Sequence, residues 1–366
     1  MRLFLTVLGL WLFTHCNQQD ANRLLSSQAE NDWALLGFTK VDSINPILQP
    51  DSTAVFYCPL SRKGVRWEER NVLNPAAVVR GGKVYLLYRA QDQSMTSRLG
   101  LAVSDDGLHF AKQLWPVFYP ANDSMKRYEW KGGVEDPRVV EAEDGTYILT
   151  YTAYDGKTAR LCLATSTDLK AWKKHGPVLR EAKYKNHWSK SGAIVARQQA
   201  GRIIATKING KYWMYFGDTN IFMASSDDLI HWDVATNEES QQMIAVLHPR
   251  PGYFDSRLVE PGPYALVRDE GILLLYNGSN AANFNDATWP RFTYSAGQAL
   301  FDSHEPYKLV KRMDSAFLFP DKPYERVGEV NEVCFIEGMV FFRDRWFLYY
   351  GTADSKIAVA VKEVSN

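Results

Sequence analysis

Three carboxylates stand beside apolar runs of the chain, where buried strands should begin or end. Asp136 lies in "GGVEDPRVV", Asp218 ends "NGKYWMYFGD", and Glu260 opens "EPGPYALV". Cleavage of a glycosidic bond needs an acid for the leaving oxygen. An inverting hydrolase also needs a carboxylate that activates water, roughly 6.5–9.5 Å from that acid. One group must stay protonated while the other is ionised, so their environments must separate their pKa values. The three carboxylates belong to different strands and could supply such a pair.

More polar side chains stand at the ends of neighbouring apolar runs. They are Arg89, Asp92, Asp155, Asp218, Asn277, Asp354 and Lys356. Carboxylates accept hydrogen bonds from vicinal hydroxyls, Arg and Lys donate to them, and aromatic faces cover the C–H side of a sugar ring. The pattern predicts a carbohydrate pocket. Within "EDPR", Glu135 and Arg138 could instead pair with each other or with neighbouring strands.

A hairpin pattern recurs along the chain, and the repeat predicts the fold. The strands that follow each tight turn are "GGKVYLLYRA" (81–90), "DGTYILTYTA" (144–153), "NGKYWMYFGD" (209–218), "EGILLLYNGS" (270–279) and "RDRWFLYYGTA" (343–353). The first three turns are Gly-Gly, Asp-Gly and Asn-Gly, which tolerate the positive φ of two-residue hairpins. The residues after the turns are β-branched and aromatic, as in buried strands.

Each of these strands is flanked by two others. One precedes it, at 74–80, 135–142, 191–197, 260–267 and 332–342, and one follows it, at 99–110, 161–172, 221–232, 295–306 and 356–361. Five β-meanders predict an all-β fold, a five-bladed β-propeller, in which each sheet covers its faces on its neighbours. We expect residues 51–67 to supply the strand that closes the ring. A β-sandwich is the alternative, although a sandwich need not repeat five times.

The first strand of each meander would line the central channel of a propeller. Those strands begin with Asn74-Pro75, Glu135-Asp136-Pro137, Lys190-Ser191-Gly192, Glu260-Pro261-Gly262 and Glu332. Proline has no N–H for the strand ladder, so it belongs at a strand's first position or at an edge. We therefore expect these polar groups to ring one mouth of the channel and to face water rather than the core.

The composition argues against several classes of function. Lys plus Arg and Asp plus Glu both number 42, so the net charge is zero. That balance argues against a nucleic acid or an anionic membrane surface as the main partner. The seven His are scattered and no HExxH or CxxC motif occurs, so the sequence predicts no metal site and no cofactor. Cys162 and Cys334 lie in apolar runs and are expected to be buried thiols.

The N-terminus differs from the rest of the chain. Arg2 precedes an apolar stretch that is too short to span a bilayer, and residues 1–16 are typical of a secretory signal. Cys16 stands where a bacterial lipoprotein would be cut and acylated. Residues 17–31 are polar and predict a tether, and residues 32–366 predict a single catalytic domain. We expect a protein exported to the periplasm or cell surface and attached to the membrane through a lipid on Cys16.

Ordered blocks of the sequence resemble glycoside hydrolase family 130. They include "NPAAVV", "YLLYRAQD", "GGVEDPRVV", "KSGAIVA", "SRLVEPGP", "LLLYNGSN", "GQALFD" and "FLYYGTADSKIAVAV", and they run from Asn74 to Val361. The resemblance implies a five-bladed propeller that acts on β-mannosides with inversion. It also implies that Asp136 is the acid, acting through the mannose 3-hydroxyl in the phosphorylases of the family.

The family holds two chemistries. Its phosphorylases use inorganic phosphate as the nucleophile, whereas a second group hydrolyses β-1,2-mannosidic linkages with water. This chain has Asn277 in "YNGSN" where the phosphorylases carry a His, and Glu260 where they carry a basic stretch; a carboxylate there would repel phosphate. Asp218 stands where hydrolase-like members have Glu, so the base is assigned to Glu260 and Asp218 jointly. We expect too little positive charge at the site to hold an inorganic anion.

The resemblance also implies a mannose subsite. Its residues would be Asn74, Arg89, Asp92, Arg98, Glu135, Arg138, Lys190, Lys207, Asn277 and Asp354. Lys207 could instead be an ordinary exposed lysine. The first hypothesis is an inverting β-mannosidase that releases mannose from β-1,2-linked manno-oligosaccharides. The alternatives are a mannoside phosphorylase and a glycan-binding propeller without turnover.

Overall fold

The computed structural model describes residues 32–184, 186–281 and 289–364. The signal peptide predicted for residues 1–16, with its acylated Cys16, and the tether predicted for residues 17–31 lie outside the described residues. The chain divides into a short N-terminal unit, Met1–Leu35, and a main unit, Leu36–Asn366. No helix in the described part of the chain is long and apolar enough to cross a membrane.

The main unit consists almost wholly of β-strands, which confirms the all-β prediction. It begins with β1 (Thr39–Lys40), β2 (Asp51–Cys58) and β3 (Lys63–Glu68). Two antiparallel meanders follow, with strands β4 (Asn71–Arg80), β5 (Lys83–Gln91), β6 (Ser97–Ser104), β7 (Ala111–Lys112), then β8 (Gly133–Glu141), β9 (Tyr147–Tyr154), β10 (Ala159–Ser166) and β11 (Lys173–Pro177). The one-turn helix α1 (Lys126–Glu129) lies between them in the sequence.

The second half of the chain repeats this organisation. Its strands are β12 (Ala193–Gln199), β13 (Arg202–Ala205), β14 (Tyr212–Phe216), β15 (Ile221–Ser226), β16 (Asp233–Val234), β17 (Ala245–Leu247), β18 (Leu258–Pro261), β19 (Ala265–Arg268), β20 (Gly271–Ser279), β21 (Tyr294–Phe301), β22 (Leu309–Arg312), β23 (Cys334–Phe342), β24 (Arg345–Thr352) and β25 (Lys356–Glu363). A 3₁₀ turn covers Ala182–Tyr184, and α2 covers Pro323–Arg326.

The strand that completes the last meander comes from an unexpected place. β1 pairs antiparallel with β25, with Thr39 opposite Val361, and so extends the sheet of β23, β24 and β25. Within the described residues β2 and β3 pair with each other as a separate two-stranded sheet. The prediction that residues 51–67 close the ring is therefore wrong. β1 is two residues long and carries no recognisable strand pattern, so the sequence offered no signal for it.

Two of the three predicted two-residue turns form as their residues predict, whereas at Asp144-Gly145 only the glycine has positive φ and a longer loop joins β8 to β9. Gly81 and Gly82 have φ of 56° and 73°, and Asn209 and Gly210 have φ of 52° and 81°. Such paired positive values allow the two-residue turns whose twist matches that of the flanking strands. The turns therefore fix the register of the hairpins they join.

Neighbouring meanders meet along their inner strands and bury the apolar faces between them. β6 and β8 touch through a parallel pairing of Ser97 with Gly133, and β12 and β19 pair in parallel through Val195 and Ala265. Cys162 and Cys334 are buried free thiols, as predicted. This packing brings the beginnings of several inner strands to one place, where the candidate site lies.

Candidate active site

A cavity of about 560 Å³ opens where the inner strands of several meanders meet. Six of the residues predicted for the site line it: Asn74, Arg89, Asp136, Lys190, Glu260 and Asp354. They come from β4, β5, β8, the segment before β12, β18 and the turn between β24 and β25. Side chains that are far apart in the sequence therefore converge on one cavity.

Left-handed backbone positions aim several of these side chains. The positions are Asn74 (φ 45°), Asp136 (φ 47°), Ser191 (φ 57°) and Asp354 (φ 49°). Asn and Asp adopt this region more readily than other residues with a side chain. The β4–β5 ladder shifts register between Leu73 and Pro75, and the β8–β9 ladder shifts between Glu135 and Arg138. Strained backbone of this kind persists at functional sites because the surrounding contacts hold it.

Asp136 is the most strongly held carboxylate of the cavity. Its Oδ1 accepts hydrogen bonds from Asn74 Nδ2 and Arg89 Nη1, both at 2.9 Å. Lys190 Nζ lies 3.6 Å from its Oδ2. Burial alone would raise the pKa of Asp136, but Arg89 and Lys190 outweigh burial and hold that pKa well below its usual range. Asp136 is therefore ionised with these partners.

Glu260 is buried in the wall of the same cavity, and its pKa is shifted in the opposite direction from that of Asp136. Ser191 Oγ donates a hydrogen bond to its Oε1, and Lys190 Nζ lies 3.4 Å from the same oxygen. Burial is the largest influence and raises the pKa of Glu260, while Lys190 partly opposes the rise. The ammonium of Lys190 thus reaches both Asp136 and Glu260 and couples the two carboxylates electrostatically.

Glu135 pairs with Arg89 rather than with Arg138. Arg89 Nη2 donates to Glu135 Oε1 at 2.7 Å, and Ser97 Oγ donates to the same oxygen at 3.1 Å. The alternative that Glu135 and Arg138 pair with each other is therefore wrong. Glu135 stands behind Arg89 and orients the guanidinium that Arg89 presents to Asp136.

Arg138 is a structural clamp. Its Nε donates to Gly262 O and its Nη2 to Pro261 O, both at 2.6 Å, while Nη1 donates to Asp136 O at 3.2 Å. It is buried and does not line the cavity, where the sequence predicted a sugar contact. The carboxylate of Glu337 lies 3.7 Å from its Nη2. Arg138 therefore ties the backbone beside Glu260 to the backbone of Asp136.

Four other residues predicted for the subsite do not line the cavity. Arg98 and Asp92 form a buried ion pair, with Nη1 2.8 Å from Oδ2. Asn277 exchanges hydrogen bonds with the backbone of Ile336, at 3.0 Å and 2.8 Å. Lys207 is exposed and places its ammonium 4.9 Å from the ring centre of Tyr212. These side chains stabilise the fold around the site.

Asp218 stands beside the cavity without lining it. It is half-buried, and its Oδ2 accepts a hydrogen bond from Trp188 Nε1 at 2.6 Å. The negative charge of Asp218 helps to raise the pKa of both Glu260 and Lys190, so Asp218 lies close enough to interact electrostatically with both. Of the two carboxylates assigned jointly as the base, Glu260 is the one that faces the cavity.

The rim of the cavity contains residues that the sequence prediction missed. Arg257 lies with its guanidinium 5.2 Å from the ring centre of Phe292 and 5.5 Å from that of Tyr294, and its Nη2 donates to Tyr294 Oη at 2.8 Å. Arg291 and Asn331 also line the cavity. "SRLVEPGP" contains Arg257, but an arginine immediately before a strand has no pattern that distinguishes it from a surface residue.

The expected shortage of positive charge is wrong. Four cationic side chains of the described residues line the cavity: Arg89, Lys190, Arg257 and Arg291. Arg89 and Lys190 face Asp136 and Glu260, whereas Arg257 and Arg291 are exposed at the rim. The positive charge therefore divides into a paired part at the floor and an exposed part at the mouth. Among the described residues no cluster of three or more His, Cys, Asp or Glu is arranged to hold a metal ion.

A family model described as β-1,4-mannooligosaccharide phosphorylase, that of glycoside hydrolase family 130, matches residues 42–366. The chain belongs to glycoside hydrolase family 130. The match covers the whole cavity and every strand from β2 onwards.

Relatives of this family 130 chain include both phosphorylases and hydrolases. It is 31% identical to a 1,2-β-oligomannan phosphorylase of Thermoanaerobacter sp. (strain X514), over 82% of this chain and 92% of the relative. A glycosyl hydrolase from Bacteroides ovatus has a similar structure, with TM-score 0.88 and 45% identity over 91% of this chain and 95% of that chain. A third similar structure comes from work on GH130 glycoside hydrolases that target β-1,2 mannosidic linkages in Candida mannan. Its TM-score is 0.89, with 43% identity over 91% of this chain and 95% of that chain.

The cavity of this family 130 chain holds carboxylates whose pKa values are shifted in opposite directions. Burial raises the pKa of Asp354 to about 6, although Arg89 opposes the rise. The pKa of Glu260 is also raised, whereas Asp136 stays ionised. Separated pKa values are what paired acid and base catalysis requires. With its present partners Asp136 cannot donate a proton directly, so its role as an acid needs a change of partner or of solvation.

Proposed function

We propose that this family 130 chain is an inverting glycoside hydrolase that releases mannose from β-mannosides, with β-1,2-linked manno-oligosaccharides as substrates. The observation that carries the proposal is Glu260, a buried carboxylate that lines the cavity and is held by Ser191 and Lys190. A carboxylate in this position can remove a proton from water, and it disfavours an inorganic anion beside it. Similarity to GH130 hydrolases that target β-1,2 linkages supports the same assignment.

Glu260 is the general base in this proposal, and Asp218 tunes it from the side. Asp218 is already bonded to Trp188 and does not line the cavity. Its negative charge raises the pKa of Glu260 and so makes Glu260 a stronger base once ionised. Lys190 limits that rise, which keeps Glu260 ionised over a wider pH range.

Asp136 protonates the leaving oxygen after the sugar has bound. A bound mannose would exclude water from the cavity, and desolvation raises the pKa of a carboxylate. A sugar hydroxyl that hydrogen-bonds to Asp136 would also loosen its contacts with Arg89 and Lys190. The remaining lining groups, Asn74 and Asp354, would accept from or donate to the mannose hydroxyls.

A mannoside phosphorylase is the second candidate, and a specific observation favours it. Arg257 and Arg291 add exposed positive charge at the rim, where an inorganic anion could bind. The curated relatives include a 1,2-β-oligomannan phosphorylase. Glu260 and Asp354 oppose this candidate because both place a carboxylate on the wall of the same cavity.

We further propose five blades for the β-propeller and export of the protein. The succession of meanders from β4 to β25, completed by β1, supports the blade count.

The proposed export includes a lipid anchor at Cys16, which labelling with a radioactive fatty acid in a bacterial host tests. We expect label and membrane association in the full chain and neither in Cys16→Ser. Label retained in the variant contradicts the assignment.

One assay separates the enzymatic candidates from a glycan-binding protein. The protein is incubated with β-1,2-mannobiose or β-1,4-mannobiose, with and without inorganic phosphate, and the products are separated by chromatography. We expect free mannose of inverted configuration from the β-1,2 substrate at the same rate with and without phosphate. Mannose 1-phosphate formed only with phosphate would establish the phosphorylase, and binding without product would establish a capture protein.

A further inference from the structure

A second cavity of about 330 Å³ lies between the third strand of one meander and the segment that leads to Lys190. Its volume is at the small end of the roughly 300–1,000 Å³ range of small-molecule pockets. Residues from β10, β11 and the Ala182–Tyr184 turn line it, and it shares no lining residue with the catalytic cavity. The position suits a small ligand that is separate from the glycoside substrate.

Hydrogen-bond donors dominate the lining of this second cavity. Its polar side chains are Arg160, Arg180, His175, His187, Tyr128, Tyr184 and Ser189, and no carboxylate occurs among the described residues that line it. Arg160 is buried and oriented by Asp155, with Nη1 2.7 Å from Oδ2. Arg180 is exposed at the edge and donates to Ile230 O at 3.2 Å. A cavity rich in guanidinium, imidazole and phenol donors attracts an oxyanion.

The aromatic rings of the cavity are covered by cations instead of being open to a sugar. Arg127 and Arg160 lie 4.6 Å and 5.3 Å from the ring centre of Tyr128. Lys183 lies 4.8 Å from the ring centre of Tyr184. A sugar ring stacks on a free aromatic face, which these rings do not offer. The cations that occupy the faces instead add to the positive potential around the cavity.

One buried hydroxyl in this cavity is poorly satisfied. Tyr184 is 8% exposed, and its hydroxyl forms no hydrogen bond of good geometry with the described residues, although the Lys183 ammonium is close enough for Tyr184 to raise the pKa of Lys183. A buried hydroxyl without a partner is disfavoured unless a ligand or water satisfies it. Tyr184 borders the cavity, so a ligand there could complete the missing hydrogen bond.

We propose that this second cavity binds a small phosphate-like oxyanion, held by Arg160, Arg180 and the hydroxyl of Tyr184. The oxyanion is either free inorganic phosphate or the phosphate group of a sugar phosphate. His175 and His187 contribute ring N–H groups at the sides of the cavity. Burial lowers the pKa of both imidazoles, so they act as neutral donors at neutral pH.

Isothermal titration calorimetry tests the proposal with inorganic phosphate, mannose 6-phosphate and, as the neutral control, mannose. The variants are Arg180→Gln and Tyr184→Phe, and the matched control is Arg257→Gln, which removes an arginine from the catalytic cavity. We expect saturable phosphate binding by the wild type and by Arg257→Gln. We expect affinity to fall about tenfold or more in the other two variants, because each loses a donor to a charged group.

The comparison of ligands identifies the source of the oxyanion. Tighter binding of mannose 6-phosphate than of phosphate indicates a sugar phosphate, and equal binding indicates the free anion. Tyr184→Phe removes a poorly satisfied hydroxyl, so circular dichroism should show a folded variant. Both Arg180→Gln and Tyr184→Phe should keep the wild-type rate of mannoside turnover, which separates this test from that of the proposed function.

Two results would overturn the proposal. One is the absence of saturable phosphate binding by the wild type. The other is binding that Arg257→Gln abolishes while Arg180→Gln and Tyr184→Phe leave it unchanged, since the anion would then lie in the catalytic cavity.

Discussion

The floor and the rim of the catalytic cavity are built in opposite ways. At the floor, Asp136 and Glu260 sit on inner strands, are buried, and are joined by Lys190. At the rim, Arg257 and Phe292 are exposed and come from segments outside the strands. Backbone conformation and several ion pairs fix the positions of the side chains at the floor, whereas fewer contacts fix those at the rim. The reaction chemistry should therefore depend on the floor, and substrate choice on the rim.

This contrast bears on the choice between hydrolysis and phosphorolysis that the proposed function makes. An incoming phosphate or water would approach the floor through the rim. Under that proposal, the carboxylate of Glu260 at the floor favours water over an inorganic anion. Changes at the rim should alter how strongly anions and sugars bind near the opening of the cavity.

The largest effect is expected from Asp136→Asn. The amide cannot serve as the acid, so kcat should fall about 10⁴-fold, at the upper end of what a positioned proton-transfer group contributes. Asp105→Asn is the matched control, because Asp105 is an exposed carboxylate paired with Lys83. Steady-state kinetics on β-1,2-mannobiose measures both. Equal activity of the two variants would remove Asp136 from the mechanism.

Glu260→Gln should lower kcat by about 10³-fold, within the range for loss of a general base. Asp218→Asn should lower it by about tenfold or less, because Asp218 acts on Glu260 through space. The pair of variants is compared by steady-state kinetics at the same pH. A larger loss in Asp218→Asn would transfer the base to Asp218 and reverse this assignment.

Asp92→Ala should affect stability more than catalysis. It leaves Arg98 buried without its carboxylate, and loss of one partner of a buried ion pair costs about 3–5 kcal/mol of unfolding free energy. Glu305→Ala, which breaks an exposed pair with Lys308, should leave the free energy of unfolding almost unchanged. Denaturant unfolding measures both values. If Asp92→Ala were as stable as the wild type but bound substrate more weakly, Asp92 would be a sugar-binding residue rather than a structural one.

Asp354 should make the stability of the protein depend on pH. Its pKa rises from an ordinary 3.8 to about 6 in the folded state. Between these values the folded state binds a proton that the unfolded state has released, so the free energy of unfolding falls as the pH rises through this window. Asp354→Asn removes this dependence, and the variant should exceed the wild type in stability at pH 7 by about 3 kcal/mol.

Chemical denaturation of the wild type and of Asp354→Asn at pH 4 and pH 7 checks this prediction. The advantage of the variant should be present at pH 7 and should disappear at pH 4, where Asp354 is protonated in the folded state. An advantage of the same size at both pH values would show that charge on Asp354 is not its cause.

The smallest effect is expected at the rim. Phe292→Ala should raise KM a few-fold and leave kcat almost unchanged, because Phe292 is 47% exposed and lies away from Asp136 and Glu260. Initial rates with mannobiose and with longer β-1,2-manno-oligosaccharides measure the change. A drop in kcat comparable to that of Glu260→Gln would mean that the division between floor and rim is not functional.

The sequence predicted the elements whose local residues decide their structure. Asp-Gly, Asn-Gly and Gly-Gly turns before aromatic runs predicted the hairpins. The hairpins depend on neighbours in the sequence, so no knowledge of tertiary packing was needed. The prolines after Asn74 and Asp136 do not mark strand beginnings, because β4 and β8 begin four residues before these prolines and shift register there. The carboxylates predicted at Asp136 and Glu260 do line the cavity, whereas Glu332 does not.

The sequence did not predict the partners of charged residues. Arg98 pairs with Asp92 and Arg138 clamps the carbonyls of Pro261 and Gly262, although both arginines sit in motifs that resemble a sugar site. A shift of register by one residue decides which face of a strand such a side chain occupies. The rim residues Arg257 and Phe292 were missed because segments outside strands carry no periodicity to place them.

The clamp formed by Arg138 has a consequence for the spacing of Asp136 and Glu260. One guanidinium joins the main chain of Asp136 to the main chain that immediately follows Glu260. Under the proposed function, the separation of the two carboxyl groups decides whether the anomeric centre is inverted or retained, and the Arg138 clamp helps to hold that separation. A substitution of Arg138 should therefore disturb the relative placement of the two carboxylates, whereas changes at the mouth should leave it intact.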